Sequence, residues 1–214
     1  MARMAKDIVE KRPTEITSAC RKLYRSMSFH EITLNDISAE TSLSRPSIYN
    51  YFQTKEEIFL AILGEEYILW NKSLEKILES EKMLDADGFA EAIADSLRNR
   101  ETLLRIQCMN LYDVEENSRL EKLAEFKHHY KRAVELLSAC LGKFFPSMSE
   151  EDRTGFVYEF FPFMYGIFPY VYPTEKQRVA MEKAGMTPPH LTIHGITKRC
   201  VRDLLKNINP KKEC

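Results

Sequence analysis

Apolar residues recur at steps of three and four along most of the chain, a spacing that predicts α-helices. Ile16, Cys20 and Tyr24 form one such stripe, on a helix expected to begin near Pro13 after a loose N-terminal arm. From Lys55 the apolar pattern continues for about 25 residues, roughly 40 Å of helix at about 1.5 Å per residue. Alternating strand patterns do not occur in the sequence. The predicted fold class is therefore all-α.

Candidate helix N-caps cluster between residues 33 and 57. They are Thr33 with Asp36, Ser44, and Thr54 with Glu57, the last pair being a predicted capping box. Caps at this spacing allow only brief helices between them. In the second helix Ile48 and Phe52 would point inward, which leaves outward the residues Pro46, Ser47, Tyr49 and Asn50. This pattern predicts a helix-turn-helix whose second helix enters a DNA major groove.

The segment Ser28–Phe59 resembles the DNA-binding domain of the TetR family of transcriptional regulators. That family typically shows G-F, then T-x-x-D-I-A, then A-G-V-S, then Y-x-H/Y-F-x-S/T-K-E. This chain has SF from residue 28, TLNDIS from residue 33, TSLS from residue 41 and YNYFQTKE from residue 49, with the same order and spacing. Ser28, Ser38 and Ser42 stand where Gly, Ala and Gly are usual. Ser42 departs most in kind, because the turn often requires a positive φ, which glycine adopts most easily.

The resemblance implies an N-terminal three-helix DNA-binding domain over residues 1–60. A long helix would join it to a helical ligand-binding and dimerisation domain over residues 61–214. The implied function is that of a homodimeric repressor on a near-palindromic double-stranded DNA operator, released when a small ligand binds. DNA binding is expected at Thr33, Ser44, Arg45, Pro46, Ser47, Tyr49, Asn50, Tyr51 and Lys55.

These residues have different expected roles. Arg45 has the reach for guanine, while Asn50 and Ser47 suit a base edge or a phosphate. Tyr49, Tyr51 and Lys55 match family positions that usually contact phosphates. For Tyr51 the alternative is packing against the first helix of the motif.

Residues 156–172 hold most of the aromatic density of the chain. A helix that is apolar on every side should be buried on every side. In the TetR family the C-terminal half holds both the ligand cavity and the dimer contact, so the resemblance implies that this segment faces a pocket on one side and a partner subunit on the other. The predicted ligand-binding residues are Phe126, Tyr130, Phe160, Phe161, Met164, Tyr165 and Phe168. The expected effector is small and apolar or aromatic, because Glu159 is nearly the only charge in the segment. Aromatic residues at helical spacing are more often ordinary core, and that alternative stays open for each of them.

The distribution of charged residues limits how this chain could bind DNA. The net charge is −1; residues 1–30 carry seven basic and three acidic groups, whereas residues 31–60 carry two basic and five acidic groups. Recognition of DNA would therefore depend on a few placed side chains rather than on a basic surface. The near-neutral charge of residues 1–60 and the presence of Ser42 leave open a second interpretation, a helical adaptor of the same fold that does not bind DNA.

Other chemistry finds little support in the sequence. No phosphate-binding glycine loop or nucleophile motif is present, so no cofactor or enzymatic activity is expected. His190 and His194 are four residues apart, but without an H-E-x-x-H pattern they predict no metal site. Five scattered cysteines and the absence of an apolar span indicate a reduced, cytoplasmic protein without a membrane segment. A thiol-based redox regulator remains the third interpretation, with Cys200 beside basic residues as its best candidate.

Overall fold

The computed structural model describes residues 2–208, and the side chains of residues 11–206. Helices occupy most of this range, and no strand occurs within it. The α-helices are α1 Ala2–Leu23, α2 Leu34–Ala39, α3 Arg45–Ile48, α4 Lys55–Glu79, α5 Ala86–Leu97, α6 Glu101–Gln107, α7 Leu120–Phe144, α8 Glu150–Val171, α9 Glu175–Lys183 and α10 Ile193–Ile208. A π-helical segment, Asn110–Glu115, lies between α6 and α7. The prediction of an all-α fold is confirmed.

The chain divides into two compact units. The first unit comprises the chain up to Glu65 together with Asn110–Lys127, and the second comprises Glu66–Met109 and the chain from His128 onward. Two of the three boundaries fall inside α4 and inside α7, and the third falls just before the π-helical segment. The bounds of 1–60 and 61–214 from the sequence stay a prediction.

The core of the first unit contains three rings that meet edge to face. Phe59 of α4 lies 4.9 Å from Tyr24 and 4.9 Å from Phe29, measured between ring centroids. Ile37 of α2 and Ile48 of α3 are fully buried. Edge-to-face contact suits the ring quadrupoles, so the rings fix the geometry as well as filling the volume.

Two helix bounds in the first unit differ from the prediction. The helix α1 begins at Ala2 rather than near Pro13, and Pro13 lies inside it. A proline removes one backbone donor, but the helix continues through this one. The helix α3 has four residues, after which Tyr51 N and Phe52 N both donate to Ile48 O in a closing turn, at 2.9 and 3.0 Å.

The second unit is a helical packing around α8. In it α10 contacts α5 and α8, and α6 contacts α8. Trp70 of α4 and Phe160 of α8 are among its fully buried side chains. The long helix predicted from Lys55 is confirmed, and it ends at Glu79.

Within the single chain, the aromatic helix α8 is not buried on every side. One face, which includes Phe156, Phe160 and Met164, is buried, but Tyr158 and Tyr170 are 74% and 75% exposed. The cover comes from α6 and α10 and from rings of α4 and α7. That a ligand cavity and a partner subunit cover the rest of residues 156–172 stays a prediction.

The sequence offers Ser147 with Glu150 and Thr174 with Gln177 as candidate capping boxes, and Gly142 as the residue after a helix. In the structure the capping box of α8 is formed by Ser149 with Asp152, because the helix begins two residues later. Gly142 does not end α7, which runs to Phe144. A Cβ at Gly142 would lie 2.8 Å from Arg153 Nη1, the end of a flexible side chain. The box formed by Thr174 with Gln177 is confirmed.

Candidate nucleic-acid interface

Thr33 fixes the start of α2. Its hydroxyl accepts a hydrogen bond from Asp36 N at 3.3 Å, and the Asp36 carboxylate accepts one from Thr33 N at 2.9 Å. The Thr33 hydroxyl also donates to Asp36 Oδ2 at 2.6 Å, and this hydrogen bond, with that from Thr33 N, holds the pKa of Asp36 below its ordinary value. The capping box therefore matches the sequence prediction and sets where α2 points.

The connection between α2 and α3 is held by polar side chains. Ser38 Oγ donates to Leu43 O at 2.8 Å, and Ser42 N donates to Glu15 Oε1 at 2.6 Å. Both serines stand where the family usually has smaller residues, and each makes a hydrogen bond within the motif. Ser42 is thus tied to α1, which stabilises the turn without a glycine.

Ser44 stands before α3 but gives no side-chain cap to its backbone, contrary to expectation. Its hydroxyl instead lies 2.9 Å from Ser47 Oγ. Proline at the start of α3 removes a donor that a cap would otherwise satisfy, which reduces the need for one. The hydroxyls of Ser44 and Ser47 therefore form a pair at the exposed start of the helix.

The outward face of α3 carries the residues predicted to bind DNA. Arg45, Pro46, Tyr49 and Asn50 are exposed, whereas Ser47 and Tyr51 are half-buried. Arg45 Nη2 donates to Tyr49 Oη at 3.0 Å, and its guanidinium lies 5.7 Å from the centre of the Tyr49 ring. Arg45 Nη1 also reaches the Oδ1 atom of Asn35 on α2 at 3.4 Å. The arginine is thus oriented along this face by two polar neighbours.

The Lys55 side chain forms hydrogen bonds within the first unit. Its ammonium donates to Phe29 O at 2.8 Å and to Ile32 O at 3.1 Å, and lies 4.4 Å from the centre of the Phe29 ring. Since an ammonium has three N–H donors, these contacts use two of them. Lys55 therefore holds the loop before α2 in place.

Glu57 forms a buried ionic contact that sequence reasoning missed. Its carboxylate accepts from Arg119 Nε at 2.6 Å and Nη2 at 2.8 Å, and from Gln53 N at 2.8 Å. Burial works against ionisation, but these hydrogen bonds prevail and lower the pKa of Glu57. Thr54 Oγ1 accepts from Glu57 N at 3.2 Å, so only half of the predicted capping box forms. The carboxylate is occupied by Arg119, which is 62 residues away and gives no local signal.

The predicted ligand-binding residues divide between the units. Phe126 belongs to the first unit, and the others, from Tyr130 to Phe168, belong to the second. Tyr130 and Phe161 meet with ring centroids 5.0 Å apart, and Phe160 lies 6.4 Å from Phe161. Phe168 instead contacts Tyr172 at 5.1 Å. Met164 is fully buried and Tyr165 half-buried.

His194 and two acidic residues of the second unit form a polar cluster. His194 Nε2 lies 3.0 Å from Glu91 Oε1 and 3.3 Å from Asp95 Oδ1. Lys198 Nζ lies 2.6 Å from Glu91 Oε2, and Arg98 Nη2 lies 2.5 Å from Asp95 Oδ1, so each carboxylate already has a cationic partner. The helix α10 begins at Ile193, which leaves the exposed His190 outside it. The spacing of four is therefore not a helical ligand pair.

The thiols of Cys20, Cys140 and Cys200 do not have the low pKa of redox-reactive cysteines. Burial raises the pKa of Cys20 to about 12, and burial is the largest cause that raises the pKa of Cys140 and of Cys200 to about 11. The charges of Asp203 and Glu159 contribute to the raised pKa of Cys200. Cys108 is exposed, and Cys214 lies outside the described residues. These environments argue against the thiol-based interpretation.

None of the helices in residues 2–208 is both long and apolar enough to cross a membrane.

Comparison with known proteins assigns both halves of the chain. Residues 16–62 match the family of bacterial regulatory proteins of the tetR type. Residues 64–206 match the C-terminal domain of tetracyclin repressor-like proteins. The chain is also 25% identical, over 143 residues, to the HTH-type transcriptional regulator YfiR of Bacillus subtilis (strain 168), a match covering 66% of this chain and 69% of YfiR.

Solved structures share the fold. A TetR/AcrR family regulator from Thermobifida fusca matches with a TM-score of 0.61 and 17% identity, covering 95% of this chain and 100% of that chain. The TetR family regulator PfmR from Thermus thermophilus matches with a TM-score of 0.59 and 17% identity, covering 89% and 97% respectively. The similarity extends over both units in each case.

Proposed function

Because this chain belongs to the TetR family and is a DNA-binding transcriptional regulator, we propose that it is a homodimeric, ligand-responsive repressor. Regulators of this family bind DNA and dimerise, and repression relieved by a ligand is typical of them. For this chain the operator is a near-palindromic double-stranded site. A small effector, apolar or aromatic in its main body, binds the C-terminal half and releases the operator.

The observation that carries this proposal is the division of α3 into two faces. Ile48 is fully buried, while Arg45, Tyr49 and Asn50 are exposed. On this face Arg45 offers a guanidinium fork that suits the O6 and N7 atoms of guanine. In a dimer, two such helices about 34 Å apart would reach successive major grooves of a palindrome.

Phosphate contacts would come from the residues flanking that face. Tyr49 and Tyr51 carry hydroxyls, and Thr33 and Ser44 stand at the starts of α2 and α3. Lys55 has one further donor, beyond the two that hold the loop before α2, and we assign this donor to a phosphate. Lys55 would then both hold the loop before α2 and contact the operator.

Exposed stripes on α8 and α10 favour a homodimer through these helices. Tyr158, Pro162, Gly166 and Tyr170 follow one another at steps of four along α8, and all are exposed. On α10 the half-exposed Ile196, Cys200 and Leu204 repeat the same spacing. Small and flat residues on one face let two helices approach closely, and large apolar surfaces at such a face mark protein contacts.

The switch would act through α4, whose N-terminal part belongs to the first unit and whose C-terminal part belongs to the second. An effector that fits one position of α4 better than another shifts the equilibrium between two arrangements of the dimer. The arrangements differ in the separation of the two heads, and therefore in affinity for a palindrome. Coupling of this kind requires only that both ligands distinguish the same two states.

Tyr49→Ala is the sharpest test of the DNA-binding face. Fragments of genomic DNA bound by the full-length protein are recovered and sequenced, and the affinity for the best site is measured at fixed salt. We expect Tyr49→Ala to lose about tenfold or more in affinity, the equivalent of one charge-assisted or phosphate hydrogen bond. Arg45→Ala should in addition relax the preference at one base pair.

Tyr112→Ala is the matched control, since Tyr112 is also an exposed tyrosine of the first unit but lies far from α3 in sequence. Its affinity for the operator should equal that of the parent. Light scattering establishes that all variants keep the same oligomeric state. Equal affinities for Tyr49→Ala and Tyr112→Ala would overturn the assignment of this face.

A further inference from the structure

A cluster of four aromatic side chains lies inside the second unit and joins three helices. It consists of Tyr67 and Trp70 of α4, Tyr130 of α7 and Phe161 of α8. Ring centroids are 5.7 Å apart for Tyr67 and Tyr130, 5.0 Å for Tyr130 and Phe161, and 5.9 Å for Trp70 and Phe161. This aromatic cluster includes two of the predicted ligand-binding residues, Tyr130 and Phe161. The α4 members are fully buried.

Gln107 places a neutral amide at the polar end of this cluster. Its Oε1 atom accepts a hydrogen bond from the Tyr67 hydroxyl at 3.1 Å, and the residue is fully buried. Its Nε2 atom, which carries two N–H donors, is buried and has no hydrogen-bond partner within the described part of the chain. A buried donor without an acceptor is unfavourable, so such a group calls for an explanation in terms of what it binds.

Asn71 adds a second polar atom one helical turn after Tyr67. Its Nδ2 donates to His129 O at 3.1 Å, immediately before Tyr130, while its buried Oδ1 has no partner among the described residues. Residues four apart lie on the same face of a helix. Two amides thus break the apolar character of a wall that is otherwise aromatic, and neither amide carries a charge.

We infer that the effector of this protein carries a neutral carbonyl oxygen, as in a ketone or an ester, at one end of an apolar body. The carbonyl accepts a hydrogen bond from Gln107 Nε2, and the apolar body lies among the rings of the aromatic cluster. A carboxylate fits this position less well, because burying a full charge beside neutral amides costs far more than burying a carbonyl. This inference rests on the proposed function, in that it names the chemical class of the effector.

Three probes of equal chain length separate the contributions: heptan-2-one, heptane and heptanoate. Each is titrated into the full-length protein at neutral pH, with calorimetry and the fluorescence of Trp70, the only tryptophan, as readouts. We expect heptan-2-one to bind about tenfold more tightly than either heptane or heptanoate, the effect of one satisfied hydrogen bond. Equal affinity for the ketone and the alkane, a preference for heptanoate, or no binding of any probe would each overturn the inference.

Gln107→Met tests the residue itself, since it keeps the length of the side chain and removes the amide. The affinity for heptan-2-one should fall about tenfold to that for heptane, while the affinity for heptane stays unchanged. Gln107→Asn, which withdraws the amide by one methylene group, should give the same loss if the methionine variant does not fold. Unchanged ketone preference in a folded variant would contradict the assignment.

Ser96→Ala is the control for disturbing polar contacts beside the same rings. Ser96 Oγ accepts a hydrogen bond from Trp70 Nε1 at 3.0 Å. This hydrogen bond does not involve the amide of Gln107, which accepts from Tyr67. Ser96→Ala should keep the ketone preference. Release of operator DNA is measured separately: ketone binding without release would refute ligand-responsive repression but leave the carbonyl assignment intact.

Discussion

The two units hold their functional residues by different kinds of contact. In the first unit, polar side chains with defined partners position the candidate DNA-binding face: Thr33 with Asp36, Arg45 with Tyr49, and Glu57 with Arg119. In the second unit, ring against ring contacts position the candidate ligand site, with Trp70 and Phe161 among them. Hydrogen bonds fix the direction of the groups they join, whereas rings in contact mainly fill volume, with a preference for edge-to-face geometry.

This difference teaches where specificity resides in the molecule. A face that reads base edges must present a few groups at fixed positions, and paired polar contacts supply that constraint. A site for a small, mainly apolar effector needs volume first and only a few polar groups to orient the ligand. The comparison predicts that substitutions in the second unit affect stability most, while those in the first unit have smaller, more local effects.

Trp70→Ala should have the largest effect on stability. Trp70 is fully buried between Tyr67 and Phe161, and truncating a buried tryptophan lowers the free energy of unfolding by about 3–5 kcal/mol. Denaturant unfolding followed by circular dichroism measures the change. Leu69→Ala, at an exposed neighbouring position, should cost under about 1 kcal/mol. Similar losses for the two variants would show that the aromatic cluster is not the stabilising element assumed.

The fold and the exposed face at α3 could be predicted because their signals are local. Apolar spacing identifies helices, and the capping pair Thr33 with Asp36 identifies the start of α2 within four residues of sequence. The alternation of buried Ile48 and exposed Tyr49 follows from the helical period. Each of these features depends only on residues a turn or two apart.

The rest could not be predicted, because it depends on contacts between distant residues. Arg119 reaches Glu57 across 62 positions, and Gln107 reaches Tyr67 across 40. Apolar spacing also does not tell which face of α8 a single chain covers, since aromatic residues occur on all its sides.

Glu57→Ala should have an intermediate effect, and it tests the polar side of the comparison. The substitution removes the acceptor for Gln53 N and for Arg119, and we expect a loss of about 1–3 kcal/mol in the free energy of unfolding, reduced because Arg119 is 39% exposed. Glu56→Ala, one position earlier on α4, serves as the control and should change stability little.

The pH dependence of this loss has a definite sign. The pKa of Glu57 is lower in the folded protein than its ordinary value of 4.5, so the carboxylate stabilises the fold above that pH. As the pH falls through the lowered folded pKa, the contribution disappears. The stability difference between the parent and Glu57→Gln should therefore be constant near neutral pH and shrink below about pH 4.5. A difference that grows on acidification would contradict the assigned ion pair.

Thr33→Ala and Ser44→Ala should have the smallest effects on stability, and together they compare two similar positions within the first unit. Both residues precede a helix, but only Thr33 caps its helix; Ser44 pairs with Ser47 Oγ instead. Loss of the Thr33 cap should cost about 1 kcal/mol in thermal or denaturant unfolding. Ser44→Ala should be nearly neutral, because Ser44 gives no side-chain cap and the second residue of α3, Pro46, has no N–H that needs one. Since both residues are also candidate phosphate contacts, their effects on operator affinity should be similar while their effects on stability differ. Equal losses of stability would mean that the location of a residue before a helix, rather than the hydrogen bond that it forms, determines its contribution to the stability of the first unit.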